Sequence, residues 1–529
     1  MGKFLILSDG GYGHGLALRL KAEGHEAKLK VFGSDNNGLG EGIVDCACDY
    51  EVGETIVVDC TGFGHILEAF RDSDVRTFGG GVFADKLEAD RLFSEEVFTD
   101  ADIDTPLSFR ANGWDEAKKL VKKVSEQSEK VVLKPEGNLS GVVPSFVASD
   151  AEEALEYIDR FERKAGDGEA SLTIQEFIKG VAFSTEGWFN GSEWVDGMFN
   201  HTIERKQFLT GDLGPSTGCT GNLVWACDAD DPVVKKTLLK LTDRMRKHRY
   251  VGAIDVNTVV SSKGIYALEF TPRFGYDAFP TLLTSLCEFD FGAFIDDLSR
   301  GDLPKVELAP GYAAGIRLSI PPWPAEQYHA DAGVKIRGFS EEDKEWFYPY
   351  EVQLVDGELQ SSNGFGILGV VNGCAESISG AFAKAYRIVT KLKIQDLQYR
   401  TDLTQVCFKD FLELFSILGS DAENEGWIGV DLDGTLASYG GWSEDIGEPV
   451  PKMVQRVKRW LYEGKDVRVL TARGTVGEGK WDQICKIHDW LMEHVGVPLE
   501  ITSEKDPQMI RLYDDRVVQV DANEGTLVR

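Results

Sequence analysis

The chain is predicted to be an α/β protein of several domains, because strands leading into tight turns recur at both ends of its 529 residues. Phe4 to Leu7 is an apolar strand that runs into Gly10-Gly11-Tyr12-Gly13-His14-Gly15. A helix follows with Leu16, Ala17 and Leu20 on one face and stops at Gly24. Thr55 to Asp59, ahead of Thr61-Gly62-Phe63-Gly64, repeats the strand-then-glycine pattern. Near the other end, Ile428 to Val430 runs into Asp431-Leu432-Asp433-Gly434-Thr435. Such alternation builds open parallel sheets with ligands at the carboxyl ends of the strands. A glycine turn opening a helix offers free amide groups to an anion, so Gly10 and Gly11 are candidate phosphate contacts.

Between these ends the pattern is mixed. Residues 1–100 form the first unit and 101–305 a second, with strands at Val131–Lys134, Leu172–Ile178 and Tyr266–Phe270. The first of these enters a flexible loop containing Gly137 and Gly141. A proline-rich stretch from Pro304 to Pro324 marks the next boundary. Residues 306–415 then carry short strands and a helix with Ile378, Phe382, Ala385 and Val389 on one face. The acidic segment 416–425 reads as a linker, and 426–529 is a final domain.

Composition narrows the function classes. With 56 basic against 88 acidic residues the net charge is −32, which disfavours nucleic-acid backbone binding. No apolar stretch approaches the roughly 20 residues that cross a bilayer. Nine cysteines without metal-ligand spacing are expected to be reduced thiols, in keeping with a cytoplasmic protein, a monomer or homodimer.

Four segments give the first 405 residues a resemblance: Ser8 to Gly15, Gly211 to Gly218 (GDLGPSTG), Leu268 to Gly275 (LEFTPRFG), and Asn363 to Gly366 with Gln398 to Asp402. In this order they resemble the ATP-grasp ligases, specifically the phosphoribosylamine–glycine ligase family. The resemblance implies an N-terminal Rossmann-like domain, an ATP-grasp domain and a small C domain. It also implies a reaction joining a carboxylate to an amine through an acyl phosphate, with ATP split to ADP and Mg²⁺ or Mn²⁺ required. By the same resemblance Glu269 and Asp255 hold the metal, Lys134 and Lys86 lie near the phosphates, and Glu176 with Ile178 meet the adenine. Arg273 would clamp a phosphoryl group or substrate carboxylate, and Lys206 and Asp212 would face the acyl phosphate and incoming amine. The chain departs from the family pattern at Tyr12 and Gly13, where Arg-Glu is usual, and at Asn138 to Gly141, which lacks a lysine. It departs again at Ala182, at Thr271 in place of asparagine, and at Tyr276 to Phe279.

Residues 426–529 resemble the haloacid dehalogenase superfamily, implying a HAD-like Rossmannoid phosphohydrolase domain. Aspartates two apart at a strand end project to one side, where one can attack phosphorus and the other handle the leaving-group proton. In that resemblance Asp431 is the nucleophile, Asp433 the acid/base, Thr471 the phosphate-binding hydroxyl and Lys505 the neutralising cation. Asp514, with Asp515, completes a Mg²⁺ site with Asp431 and Asp433. The expectation is a bifunctional enzyme acting on small molecules: an amine, a carboxylate and a phosphate ester. Two rivals stand beside it: a ligase for another amine and carboxylate pair, and a degenerate nucleotide-binding scaffold carrying an active phosphatase.

Overall fold

A computed structural model describes residues 1–32, 38–46, 50–135, 145–165, 171–325, 328–419, 426–441, 443, 445–462, 465–474 and 480–517. The expected loop at Gly137 to Gly141 and most of the acidic linker lie outside these residues. The chain divides into two compact units, one of residues 1–374 and 382–403, the other of residues 375–381 and 404–529. The helix Leu403–Gly419 therefore belongs almost wholly to the second unit and runs into the segment expected to be linker.

The first unit opens with a five-stranded parallel sheet in the order 45–46, 26–32, 3–9, 55–58, 77–78. Phe4 and Ile6 point into a core shared with Leu16, Ala17 and Leu20 of the helix His14–Ala22. Leu5 and Leu7 alternate to the other face, against Ile56, Val58 and Leu67. The strand order reverses between 3–9 and 55–58, which opens a crevice at the Gly10–Gly15 turn. Gly11 has φ +86°, and a Cβ there would lie 2.5 Å from Leu39, so the turn needs glycine at that point.

A second sheet of four antiparallel strands, in the order 108–111, 172–176, 131–135, 146–148, carries the helices Trp114–Ser125 and Ala151–Ala165. Alternation in Val131–Pro135 buries Val131 and Leu133 beneath those helices and leaves Lys134 turned the other way.

The largest sheet has eight strands, ordered 264–271, 251–261, 181–190, 194–209, 213–227, 312–319, 367–375, 347–349. The sheet continues across the expected boundary at Pro304–Pro324. The strand Tyr312–Ser319, buried along its whole length, pairs with 213–227 and carries the grasp sheet on into the region expected to be a separate C domain. One face of the sheet packs an aromatic core of Trp188, Phe274, Phe279 and Phe291 against the parallel sheet. The other packs Phe189, Phe199, Ile254 and Phe270 under the helices of residues 81–100 and 232–247.

The second unit contains a four-stranded parallel sheet in the order 500–502, 466–470, 427–431, 509–513. The helix Pro451–Tyr462 presents Met453, Val454 and Val457 to its core, with Trp460 and Leu461 packed against it, as the spacing predicts. No described helix is long and apolar enough to cross a membrane.

Candidate active sites

The first site lies between the four-stranded and the eight-stranded sheets. Lys134, Thr173 and Gln175 line a cavity of about 150 Å³ from one side, and Glu269, Thr271 and Arg273 from the other, with Arg91 beside them. Burial, then the charge of Arg91, pushes the Lys134 ammonium down to about 8. Glu269 lies 3.6 Å from Lys206, its side chain about half exposed to the cleft. Crowding by the surrounding protein would raise its carboxyl, but Lys206, then Lys134 and Arg91, hold it below the usual range. The cleft therefore sets an ionised Glu269 among Lys134, Lys206 and Arg91, with Glu88 and Glu95 also on its lining, an arrangement suited to a divalent metal and an anionic phosphate chain. Asn257 donates to Thr271 Oγ1 at 3.0 Å and keeps that hydroxyl in place beside Glu269.

Several residues singled out from the sequence sit elsewhere. Lys86 lies 4.0 Å over the ring of Phe93 and does not line the cavity. Arg91, five residues on, does, and its buried Nη1 has no hydrogen-bond partner among the described residues. Arg91 begins the helix Arg91–Asp100, capped by Asp90, whose carboxylate accepts from Phe93 N at 3.1 Å. A cation in a first helical turn opposes the helix dipole, and that mismatch is the signal that could have found it. Glu176 turns its carboxylate to Leu107 N at 2.8 Å, and Ile178 follows just beyond the strand end. Asp212 sits at a hairpin tip with φ +55°, held 2.8 Å from the buried Arg400, which also grips Asp402. That pairing fixes the hairpin and leaves only Lys206 of the two at the cleft.

Arg273 is engaged on both faces. Its Nη2 donates to Glu88 at 2.8 Å, and its guanidinium stacks 3.9 Å over Tyr276. Tyr276 in turn lies 4.7 Å from Tyr12 of the glycine turn. The neighbouring Asp277, fully buried, makes a bidentate pair with Arg317 at 2.7 and 2.8 Å. Asp255 is buried and faces Glu186 on the adjacent strand, one register step from Glu269. Burial raises Asp255 to about 7, and burial together with Asp255 raises Glu186 to about 8. Gly10 and Gly11 line the crevice end of the parallel sheet, where buried Asp59 accepts from the Ser8 hydroxyl and is raised by burial to about 6.

The second site occupies the carboxyl edge of the small parallel sheet. Carboxylate oxygens of Asp431, Asp514 and Asp515 lie within 4.8 Å of one another. Burial first, then Asp514, Asp515 and Asp433, pushes Asp431 up to about 6. Three converging carboxylates of this kind fit a hard divalent cation, which would offset their repulsion. Gly434, at φ +102°, lets the turn pass Asp515, whose carboxylate a Cβ would meet at 2.6 Å. Thr435 Oγ1 accepts from Asp515 N at 3.0 Å and locks the two loops together. Thr471 is buried at the end of the neighbouring strand. Asp433 points aside: Arg473 forks it at 2.6 and 2.7 Å and also donates to Ser443 O at 2.8 Å. Lys505 is exposed beyond the strand Glu500–Thr502.

Two sheets closing on a cation-lined cleft define the first unit as an ATP-grasp α/β fold, the fold of a class of ATP-dependent ligases. A family model, "Phosphoribosylglycinamide synthetase, ATP-grasp (A) domain", matches residues 89–278. The phosphoribosylamine–glycine ligase of Streptococcus pneumoniae is 25% identical over 77% of this chain and 100% of its own length. That of Rhodopirellula baltica is 27% identical over 76% and 96%. Among solved structures, the phosphoribosylamine–glycine ligase of Thermotoga maritima covers 76% of this chain and 99% of its own, with TM-score 0.59 and 22% identity. The biotin carboxylase domain of Hydrogenobacter thermophilus 2-oxoglutarate carboxylase, solved with MgADP, aligns with TM-score 0.51 at 13% identity over 79% and 95%. The first unit is thus an ATP-dependent ligase resembling the phosphoribosylamine–glycine ligases, with ATP and Mg²⁺ or Mn²⁺ as cofactors, and its cleft fits them.

Proposed function

We propose that the chain is a bifunctional enzyme in which the first unit ligates a carboxylate to an amine, as in phosphoribosylamine–glycine ligases, and the second hydrolyses a phosphomonoester. The observation that carries the ligase half is Glu269, a carboxylate held ionised among Lys134, Lys206 and Arg91 at the cavity. Glu269, with Thr271 beside it, would hold Mg²⁺, which supplies charge neutralisation to the transferring phosphoryl group. Lys134 and Arg91 grip phosphate oxygens as charge builds on them, and Lys206 stands over the acyl phosphate that forms. Attack by the amine on the acyl carbon then expels inorganic phosphate and leaves the amide.

In the second half, Asp431 attacks phosphorus, the bond to the leaving oxygen breaks, and water hydrolyses the aspartyl phosphate. Asp514 and Asp515 would hold a metal with Asp431, and Asp433 would exchange the proton with the leaving oxygen and then with water. As a hypothesis motivated by the fusion, the second unit dephosphorylates the ligase product or a related nucleotide, because a shared chain raises local concentration. The test is ADP release from the full chain with ATP and Mg²⁺, across amines and carboxylates, glycine and phosphoribosylamine among them. Phosphate release from p-nitrophenyl phosphate and from any ligase product is measured alongside. Amide formation without ADP release, or no turnover by either unit, overturns the reading.

A further inference from the structure

On the aromatic-core face of the large sheet, between Trp188 and the cleft, runs a belt of buried polar side chains. Glu186 stands directly opposite Asp255 on one neighbouring strand and Asn200 on the other. Two and four residues along from Asn200, on the same face, come Thr202 and Glu204, and Glu204 stands opposite Asn222. Glu186, Asn200, Asn222 and Asp255 are each at most 5% exposed. Trp188 Nε1 donates to Glu186 at 3.1 Å, and Glu186 has no basic residue among the groups that shift its carboxyl. Asn200 Oδ1 and both polar atoms of Asn222 have no hydrogen-bond partner among the described residues. Gly315 lets Thr281 and Asn222 pack closely at that end: a Cβ there would come within 3.0 Å of Asn222 and closer still to Thr281.

Leaving a buried polar group unpaired is costly, so atoms set in this way call for a partner beyond the described residues. A phosphate or carboxylate does not suit the belt. It would meet Glu186, Asp255 and Glu204, while the cations that act on Glu204, namely Lys206, Arg273 and Arg317, are turned to Glu269, Glu88 and Asp277. A group that donates hydrogen bonds and carries positive charge satisfies both the carboxylates and the amide oxygens. Four residues of strand separate the Asn200 and Glu204 levels, roughly 13 Å between Cα atoms. A short aliphatic chain with a donor at each end bridges that gap.

We propose that the belt is the amine-binding subsite, taking a small unphosphorylated amine with its ammonium between Glu186 and Asn200 and a second donor group at Glu204 and Asn222. The inference takes its chemistry from the ligase reading and its binding from the belt itself. Calorimetry on the full chain with MgADP present, using 1,4-diaminobutane as probe, tests it. Saturable binding is expected, weakened about tenfold or more in Glu186→Gln and in Asn222→Leu, with MgADP affinity unchanged as the control for folding. The isosteric 1,4-butanediol is expected to bind at least tenfold more weakly. Absence of diamine binding, equal binding by Glu186→Gln, or tighter binding of O-phosphoethanolamine overturns the proposal. Glu186-dependent binding with no amine able to drive ADP release leaves the subsite standing and removes the ligase reading. ADP release driven by amines, with the amine KM unmoved in Glu186→Gln, does the reverse.

Discussion

The two units handle negative charge in opposite ways. In the ligase cleft Glu269 lies among Lys134, Lys206 and Arg91, and its carboxyl is held low. At the edge of the small sheet, Asp431 is crowded by three further aspartates, and its carboxyl is pushed up to about 6. The first arrangement is prepared for a polyanion and needs a metal mainly to bridge it. The second is held apart by repulsion until a cation enters. Arg473, the buried cation of that site, forks Asp433. On the proposed reading, the cleft is organised around its substrate and the aspartate cluster around a metal.

The largest expected effect separates the two chemistries. Asp431→Asn should lower phosphate release from p-nitrophenyl phosphate by at least about 10³-fold, because a nucleophile is removed outright. ADP release by the same variant should match the parent; loss of both would mean that the two units do not work independently. Next comes the cleft. Lys134→Ala removes a donor aimed at the transferring phosphoryl group and should lower the kcat for ADP release by about 10²–10³-fold. Arg91→Ala should fall in the same range, whereas Lys86→Ala, which loses only a contact with Phe93, should change it by less than about threefold. Equal losses at Lys86 and Arg91 would break the assignment of the cleft cations.

A smaller effect is expected at Arg473, which reaches the chemistry through Asp433. Arg473→Lys keeps the charge but cannot make the two-point fork, so kcat for phosphate release should drop about 10- to 100-fold with a smaller change in KM. If KM rises instead while kcat holds, Arg473 contacts the substrate and is not a positioning residue.

These contrasts also mark what was legible in the sequence. Asp431, Glu269 and Lys134 could be read directly because each sits at a strand end, where alternation fixes which way a side chain points. The parallel sheets at both ends were legible for the same reason, through strands followed by glycine turns. Arg91 was not, because a basic residue in an exposed-looking helix resembles any solvated cation until the fold turns it inward. Asp212 misled in the opposite sense: a GDLG turn reads as a ligand loop, yet its carboxylate serves Arg400, 188 residues away in sequence. The continuity of the sheet across Pro304–Pro324 was not legible, because the strand between those prolines, Tyr312–Ser319, pairs with 213–227 on one side and 367–375 on the other. Pairing over such separations leaves no local trace. Likewise the fork between Asp433 and Arg473 spans 40 residues, and spacing alone does not distinguish it from a free acid/base.

The smallest expected effect concerns Asp59, in the crevice of the parallel sheet, a buried carboxyl outside both sites. Burial raises it to about 6 from an ordinary value near 3.8, so the folded state binds its proton more tightly than the unfolded chain. The stability this contributes is complete below pH 3.8 and is lost as pH rises through 6. Above that point the chain carries a buried charge with one oxygen unpaired. Asp59→Asn removes the charge but keeps an acceptor for the Ser8 hydroxyl. Its thermal midpoint relative to the parent should therefore improve between pH 4 and pH 7, by roughly 2–4 °C for each kcal/mol recovered. Thermal melts at both pH values, with p-nitrophenyl phosphate hydrolysis as a control on the second unit, check this. A difference that stays flat with pH would mean that Asp59 is already paired by a ligand or cation in the crevice. In that case the contrast between a cation-balanced cleft and an unbalanced aspartate cluster would extend to a third acidic site.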